Sequence, residues 1–260
     1  MNVIKKSNRV RNFHWISLVY LLLRLSVILI MVEQIRNRNY ENVFLCVLTL
    51  LLFLVPSFVE RRIHIDIPDT LETIILLFIF SAEILGEINS YYLIFPYWDT
   101  MLHTFNGFLA AAIGLSLIDI LNKHERFAIS LSPVFVALVS FCFSMTIGVV
   151  WEFFEFGMDQ FFALDMQKDT YLTSFQTVLL NPEGLNVPVK VAIDSIEING
   201  ESWKSYIDIG LIDTMMDLFV NFIGATIFSL FGYFYIKHRG NSNFLKRFIL
   251  RFYKEKQEAR

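Results

Sequence analysis

The sequence has few cysteines, few prolines and few charges. Its 260 residues include only 2 Cys and 6 Pro, and 18% of them are charged, whereas 55% are hydrophobic. Both cysteines, Cys46 and Cys142, lie inside apolar runs, so the sequence offers neither a disulfide framework nor a cysteine-based metal site. A mean hydropathy of +0.52 with so little charge excludes an ordinary soluble domain. The composition therefore indicates a membrane protein.

Several motifs of enzymes and of secreted proteins are also missing. There is no glycine-rich nucleotide loop, no nucleophile elbow and no His-Glu-x-x-His zinc motif, so the corresponding enzyme classes receive no support. The net charge of −3 says little, because the charges are segregated along the chain, and we expect no nucleic-acid partner. The first apolar run leads to no small-residue cleavage site, so we expect no cleavable signal peptide.

Long apolar runs are what the sequence has instead. A segment of about 20 apolar residues crosses the roughly 30 Å hydrocarbon core of a bilayer. Six runs approach that length: Ile16–Val32, Val43–Val59, Leu71–Ile88, Asp99–Leu121, Phe127–Trp151 and Ile209–Ile236. We therefore predict an all-α, polytopic membrane helical bundle of about six transmembrane helices, embedded in a lipid bilayer. The sequence leaves its oligomeric state open.

The basic residues predict the orientation of these helices. With the N-terminus in the cytoplasm, 16 Lys and Arg residues fall in inner segments and 5 in outer segments, which is the positive-inside bias. We predict a cell-membrane protein with both termini cytoplasmic. It divides into a basic N-terminus (1–15), a six-helix transmembrane domain (16–236) and a basic amphipathic tail (237–260). The tail either lies along the anionic inner leaflet or serves as a plain positive anchor.

One connection is too long for a simple turn. Residues 161–208 form an expected extracytoplasmic insertion, and their alternating stretch NVPVKVAIDSIEINGESW predicts a strand pair or a small β-hairpin with Asn199-Gly200 as its turn. The aromatic segment NSYYLIFPYW, which contains Pro96, predicts an interfacial or re-entrant piece before the fourth span.

Polar residues recur at the expected outer ends of four spans. On the fifth span Glu152, Glu155 and Asp159 are spaced i, i+3 and i+7, which places them on one helix face. Corresponding sets occur on three other spans: Asp99, His103 and Asn106 on the fourth, Asp213, Asp217 and Asn221 on the sixth, and Glu83 and Glu87 on the third. Single acids at helix ends are often solvated caps. Four sets at one depth nevertheless predict a shared polar site that opens outward.

Carboxylates gathered this closely repel one another unless they are protonated or bridged by a cation. Carboxylate oxygens with one imidazole suit Mg²⁺, Mn²⁺, Ca²⁺ or Zn²⁺, so we expect a divalent metal ion as cofactor. The residues of the predicted site have three expected roles. The predicted catalytic residues are Asp99, His103, Glu152, Glu155 and Asp217, the predicted binding residues are Asn106, Asp159, Asp213 and Asn221, and the predicted metal ligands are His103, Glu152, Glu155 and Asp217.

The order of these motifs resembles two families of membrane proteins. The segments WDTMLH, WEFFEF and DTMMDLFVNFIGA follow the layout of VanZ-like proteins and are still more similar to the uncharacterised YjdF-like inner-membrane proteins. The resemblance covers residues of about 95–235, and its matching positions are Asp99, His103, Glu152, Glu155, Asp159, Asp213, Asp217, Asn221 and Gly224. VanZ-like proteins are associated with glycopeptide resistance, so the resemblance implies an envelope-facing role but no settled reaction.

Three functions are compatible with such a site. It could carry metal-dependent chemistry on a lipid head group or a lipid-linked envelope precursor, although the sequence leaves open whether the protein is an enzyme. It could belong to a transporter coupled to protons or to a divalent cation. It could also be a polar belt that only locks the helices of a non-catalytic scaffold. The inner halves of the fourth and fifth spans are nearly all apolar except for Asp119, which favours a one-sided outer site.

Overall fold

The computed structural model of the chain describes residues 15–123, 131–238 and 242–252. Within these ranges the chain is mostly helical, and the prediction of an all-α helical bundle is confirmed. A π-helix (Ser81–Ile88) continues the fourth helix, and a short 3-10 turn (Leu245–Arg247) follows the last one. The α-helices are α1 (Trp15–Arg36), α2 (Tyr40–Leu52), α3 (Val55–Ile63), α4 (Asp69–Phe80), α5 (Tyr91–Ile94), α6 (Trp98–Lys123), α7 (Pro133–Phe162) and α8 (Leu211–Lys237).

Short strands form four antiparallel pairs: β1 with β8, β2 with β7, β3 with β4 and β5 with β6. All but the first pair lie in the predicted insertion at 161–208. The predicted hairpin is confirmed as β5–β6, and its turn residues Asn199 and Gly200 both have positive φ, at 53° and 85°, as a tight two-residue turn requires. The strands are β1 (Ile65–Asp66), β2 (Tyr171–Leu172), β3 (Ser174–Thr177), β4 (Val189–Ala192), β5 (Ile196–Ile198), β6 (Glu201–Trp203), β7 (Tyr206–Ile207) and β8 (Arg251–Phe252).

Of the about six predicted spans, five are long and apolar enough among the described residues to cross a membrane. The expected third span, Leu71–Ile88, is helical throughout, but it is shared between the 12 residues of α4 and the 8 residues of the π-helix, and it carries three glutamates. A membrane-spanning helix must be both long and nearly free of charged residues, and this segment with its three glutamates does not meet that requirement. Five segments among the described residues meet that requirement: Trp15–Arg36, Tyr40–Ile63, Trp98–Leu121, Pro133–Phe162 and Leu211–Lys237.

The fifth expected span begins later and ends later than predicted. Residues 124–130, which include its expected start, lie outside the described residues, and α7 begins at Pro133. The Ser132 hydroxyl accepts a hydrogen bond from the backbone N–H of Phe135, and a proline at the first helical position already has the φ angle that a helix needs. The helix then continues past Trp151 to Phe162.

Small residues let α6, α7 and α8 approach one another closely. A Cβ on Gly107 would overlap the backbone oxygen of Asn221, and one on Gly224 would overlap that of Thr104, so the backbones of α6 and α8 are in contact. The Ser144 hydroxyl on α7 donates a 2.7 Å hydrogen bond to the backbone oxygen of Gly107. In lipid, where apolar surface gains nothing by leaving water, close packing and interhelical hydrogen bonds hold helices together. These three helices therefore form the core of the bundle.

The first two helices pack against each other and against α4 and the π-helix, and a chain of polar contacts joins α1 to α4. The guanidinium carbon of Arg24 lies 4.9 Å from the centre of the Tyr20 ring. The Tyr20 hydroxyl in turn donates a 2.6 Å hydrogen bond to Glu72 Oε1. Glu72 is buried, and this hydrogen bond satisfies one of its oxygens.

Residues 242–252 fold back onto the bundle. The ring of Phe248 packs against those of Phe108 on α6 and Phe228 on α8, with centroid distances of 5.6 and 6.2 Å. The backbone N–H of Leu250 donates a 3.1 Å hydrogen bond to the Ser116 hydroxyl. The described part of the predicted tail therefore closes one end of the bundle, which we call the tail end. The opposite end, which carries residues 163–210, is the loop end.

The strand pair β1–β8 lies at the tail end and determines the course of the chain. Because β1 leads into α4, that helix starts at the tail end, and the π-helix that follows it reaches the loop end. A short turn at residues 37–39 joins α1 to α2, and the two helices pack against each other, so Trp15 also lies towards the tail end. The described chain thus begins and ends at the same end of the bundle, because α4 and the π-helix run from the tail end to the loop end in addition to the five apolar segments.

We expect the tail end to face the cytoplasm. In a variant without Cys46 and Cys142, Lys190→Cys should react with a membrane-impermeant maleimide in intact cells, because position 190 lies in the loop and the basic residues predict that the loop is outside. Lys254→Cys should react only after the cells are permeabilised. The reverse labelling pattern would contradict both the orientation and an outward-facing site.

We also expect the contact between α6 and α8 to be sensitive to a single methyl group. Gly224→Ala should lower the melting temperature of the detergent-purified protein, because its Cβ overlaps the α6 backbone and overpacking costs about 1–3 kcal/mol. Gly157→Ala on α7 is the matched control. Its Cβ would meet no atom within 4 Å, so the better helix propensity of alanine should leave stability unchanged or raise it by up to about 1 kcal/mol. Equal melting temperatures for both variants would argue against the close contact.

Candidate functional site

A buried histidine lies at the centre of the predicted site. Nε2 of His103 on α6 lies 3.6 Å from Asp99 Oδ1, one turn earlier on the same helix, and 3.8 Å from Asp217 Oδ2 on α8. Nδ1 of the same ring lies 3.7 Å from Glu152 Oε1 on α7. Three helices therefore bring carboxylates to one imidazole, close enough to share a small ligand.

The five predicted catalytic residues, which include the four predicted metal ligands, all converge here. One ligand atom from each of His103, Glu152 and Glu155 lies within 4.8 Å of the others. The same is true of Asp99, His103 and Asp217. The chemical roles assigned to these residues remain predictions, whereas their proximity is a feature of the fold.

The acids around His103 are partly without hydrogen-bond partners. The side chains of Glu152 and Asp217 are each 5% exposed. Among the described residues, nothing donates a hydrogen bond to either oxygen of Glu152 or to Oδ2 of Asp217. The side chains of Thr214 and Gln167 lie near Glu152 but form no hydrogen bond with it. Gln167 Nε2 instead donates a hydrogen bond to the Thr214 hydroxyl. Because an unsatisfied buried polar group costs about 1–3 kcal/mol, and a charged one more, the arrangement requires a proton or a cation.

The other two acids of the cluster, Asp99 and Glu155, are either partly exposed or hydrogen-bonded. Asp99, in the first turn of α6, keeps 30% of its side chain exposed, so the site meets its surroundings on that side. Glu155 is buried, but its Oε1 accepts a 2.8 Å hydrogen bond from the Trp151 indole one turn earlier on α7. An ion or a substrate would therefore enter beside Asp99.

Two asparagines close the site on its tail-end side. Asn221, one turn after Asp217 on α8, is fully buried, and its Oδ1 accepts a 3.3 Å hydrogen bond from Asn106 Nδ2. Its amide also packs against Gly148 of α7, where a Cβ would come within 2.7 Å of Nδ2. The two amides thus join the three core helices. The binding role predicted for Asn106 and Asn221 remains a prediction.

The other two predicted binding residues hold the loop. The carboxylate of Asp159 accepts hydrogen bonds of 2.6 and 2.9 Å from the backbone N–H groups of Met166 and Gln167. Asp213 Oδ2 accepts a 2.7 Å hydrogen bond from the backbone N–H of Lys168. These bonds draw residues 166–168 across the ends of α7 and α8, and neither acid belongs to the groups that gather around His103. A binding role for Asp159 and Asp213 remains a prediction.

The loop also brings residues to the site that the sequence did not single out. Gln167 is buried and donates from Nε2 to the Thr214 hydroxyl, 47 positions away. Lys168 places a positive charge near the loop end, with its ammonium nitrogen 3.9 Å from Asp165 Oδ2. No periodic pattern or motif marks this stretch. Only long-range pairing places it there, so no local signal could have identified it.

The acids of the expected third span lie outside the two ligand groups around His103, and a site shared by four spans remains a prediction. Glu83 and Glu87 lie on the π-helix, outside the groups that gather around His103. The ring of Tyr92 packs directly against Gly86, where a Cβ would overlap it. Burial raises the pKa of the Tyr92 hydroxyl, and the carboxylates of Asp99 and Glu87 raise it further. Tyr92 therefore occupies the space between the π-helix and the site.

Comparison with known proteins places this chain in a family. The family model described as "Predicted membrane protein (DUF2238)" matches residues 18–238. The chain belongs to the DUF2238 family. An uncharacterised protein of Thermotoga maritima is 27% identical over 105 residues, which cover 40% of this chain and 52% of that protein. The chain thus matches about half the length of this relative. No solved structure matches the chain.

Membership of the DUF2238 family agrees with an integral membrane protein. The matched range includes the five helices that are long and apolar enough to cross a membrane, except for the first residues of α1. It also includes every residue of the cluster around His103. The family description names no reaction, metal or substrate, so the chemistry must be argued from the site.

We expect Asp208 to tie the loop to the start of α8 in a pH-dependent way. Burial tends to raise the pKa of Asp208, but hydrogen bonds from the backbone N–H groups of Thr170, Ile212 and Gly210 outweigh it and hold the pKa below its ordinary value. Ionised Asp208 therefore stabilises the fold above its unfolded-state pKa of about 4, and this contribution is lost as the pH falls through the lower folded-state pKa.

Hydrogen exchange checks this expectation. The protection factors of the Thr170 and Ile212 amides should fall between about pH 4 and pH 2. Asp208→Asn should lower the opening free energy of these two amides by about 1 kcal/mol already at pH 7, because one acceptor oxygen is lost. Asp194→Asn, on an exposed residue of the same loop, should change nothing. Unchanged protection in Asp208→Asn would show that the carboxylate does not hold the loop.

Proposed function

We propose that this DUF2238 protein binds a divalent metal ion at an outward-facing site in the cell envelope and uses it in chemistry on a lipid head group or a lipid-linked envelope precursor. One observation carries the proposal. Both oxygens of Glu152 and Oδ2 of Asp217 are buried without a hydrogen-bond partner among the described residues, and Glu152 Oε1 and Asp217 Oδ2 face the same imidazole. Buried carboxylates normally pair with a cation or with donors.

The distances fit an ion with small movements of the side chains. Donor atoms that share an ion at about 2.0–2.2 Å lie about 3.0–3.5 Å apart. The three contacts of His103 with its acids are 3.6, 3.7 and 3.8 Å. An imidazole nitrogen among carboxylate oxygens also favours a metal over shared protons alone, because carboxylates can share a proton without it.

The position of the site suits a substrate at the membrane surface. Asp99 is partly exposed at the loop end, and residues 166–168 cross the ends of α7 and α8 beside it. A divalent ion here would polarise a phosphate or carbonyl oxygen or lower the pKa of a water molecule. Glu155, which accepts a hydrogen bond from the Trp151 indole, would accept or deliver a proton within the cluster. The loop would limit access of bulk water.

A transporter coupled to protons or a divalent cation is the second candidate. Its polar pathway would have to continue to the tail end. There, the rings of Phe108, Phe228 and Phe248 pack against one another, and residues 242–250 close the space between the helices. A transport cycle would have to displace this packing, so the geometry supports a one-sided site better.

A purely structural polar belt is the third candidate. Such a belt stabilises helices when its members hydrogen-bond to one another, as Asn106 and Asn221 do. Glu152 has no such partner among the described residues, which favours a binding function over a structural one. The motif order that resembles VanZ-like and YjdF-like proteins implies only that the protein has an envelope-facing role.

We expect divalent metals to stabilise the purified protein. Addition of Zn²⁺, Mn²⁺, Mg²⁺ or Ca²⁺ at about 100 times the dissociation constant should add about 2.7 kcal/mol and raise the melting temperature by several degrees, and EDTA should reverse the shift. Glu152→Gln should reduce this metal-dependent shift. In EDTA it should raise the melting temperature, because it removes a buried charge that lacks a partner.

Glu72→Gln is the matched control for this experiment. Glu72 is also a buried glutamate, but it already has Tyr20 as a hydrogen-bond partner and lies outside the cluster. The variant should keep the full metal-dependent shift even if its basal stability changes. A wild-type protein indifferent to chelator and to all four metals, with Glu152→Gln more stable in every condition, would make the cluster a proton-sharing one and end the metal proposal.

A further inference from the structure

The imidazole of His103 separates two groups of carboxylates. Its Nε2 faces Asp99 and Asp217, at 3.6 and 3.8 Å, and its Nδ1 faces Glu152, at 3.7 Å. In a neutral imidazole one nitrogen carries a hydrogen and the other a lone pair, so the two nitrogens cannot play the same part. A metal ion binds the lone pair on one side only, and the hydrogen then points to the other side.

The side of Nε2 is the better place for an ion. His103 Nε2 and the carboxylates of Asp99 and Asp217 supply three ligand atoms from two helices, all within 4.8 Å of one another. Asp99 is 30% exposed, which gives an ion and a substrate a way in. Three protein ligands with an open position are typical of catalytic metal sites.

The side of Nδ1 lacks that access but is suited to a hydrogen bond. The second group, formed by His103, Glu152 and Glu155, is buried throughout. Glu155 is already engaged by the Trp151 indole. Glu152 has two oxygens without donors, one of which faces Nδ1. A hydrogen on Nδ1 would therefore supply the donor that Glu152 lacks.

We propose that the ion is bound by Asp99, His103 Nε2 and Asp217, and that Glu152 is a positioning residue that accepts a hydrogen bond from Nδ1–H. This inference rests on the metal site proposed above. A carboxylate behind a metal-binding histidine fixes the orientation of its ring and makes the metal-bound nitrogen a stronger donor. Here it also connects helices, because α6 and α8 hold the ion while α7 holds the histidine.

Titration of the full-length, detergent-purified protein with Co²⁺ tests this division. Visible absorption of Co²⁺ reports its ligands, and Co²⁺ binds the oxygen and nitrogen ligands that also bind zinc. We expect one Co²⁺ per chain. Asp217→Asn, which removes a charged ligand, should weaken binding by more than about 100-fold and change the spectrum. Glu152→Ala should weaken binding by about 10–100-fold and leave the spectrum unchanged, as loss of a residue behind a ligand does.

A conservative variant separates positioning from simple loss of packing. Glu152→Gln keeps a carbonyl oxygen that can accept from Nδ1–H, so it should bind Co²⁺ within about 10-fold of the wild-type protein. Glu72→Gln, on a buried glutamate away from the cluster, should bind like the wild-type protein. Monodisperse elution of each variant in size-exclusion chromatography checks that it is folded.

The possible failures are distinguishable. If Glu152→Ala changes the Co²⁺ spectrum, or if Glu152→Ala and Glu155→Gln abolish binding while Asp217→Asn retains it, the ion lies on the side of Nδ1. The division of roles is then wrong, although the metal site stands. If Glu152→Ala binds Co²⁺ as tightly as the wild-type protein, Glu152 has no positioning role. If the wild-type protein binds neither Co²⁺ nor the four metals tested above, the proposed function itself fails.

Discussion

The backbone contact between α6 and α8 is the constraint on which the rest of the structure depends. At Gly107 and Gly224 the two helices are so close that neither position has room for a Cβ. This contact sets the register of the helices, and it brings His103 of α6 level with Asp217 of α8. Ser144 attaches α7 to the pair at the same depth. The polar cluster is therefore a consequence of how small residues are placed along three helices.

The cluster differs from an ordinary buried polar contact in what it leaves unsatisfied. Glu72 and Glu152 are both buried glutamates of the helical bundle, but Glu72 receives a hydrogen bond from Tyr20, whereas Glu152 receives none from the described residues. Hydrocarbon offers no water to compensate such a group. Two uncompensated carboxylates around one imidazole are the reason why we propose a binding site here. The metal and its chemistry are our proposal for what binds there.

The two ends of the bundle have different construction, which bears on function. At the tail end Phe248 fills the space between α6 and α8, and β8 pairs with β1. At the loop end the connection between α7 and α8 is held by the carboxylates of Asp159 and Asp213, which accept backbone hydrogen bonds. A closed apolar end and a polar, partly exposed end are what a site reached from one face requires.

The sequence by itself determined the helical membrane class, the hairpin turn at Asn199-Gly200 and the set of residues that meet around His103. These follow from local properties, namely apolar run length, turn chemistry and one-face spacing. Tertiary structure decided the rest. It replaced part of the third span with a π-helix, left Glu83 outside the cluster and brought Gln167 to it, because pairing between distant segments has no local pattern. It also decided which acids find donors, since Asp159 and Glu152 look alike in sequence and only the folded loop supplies backbone N–H groups to Asp159.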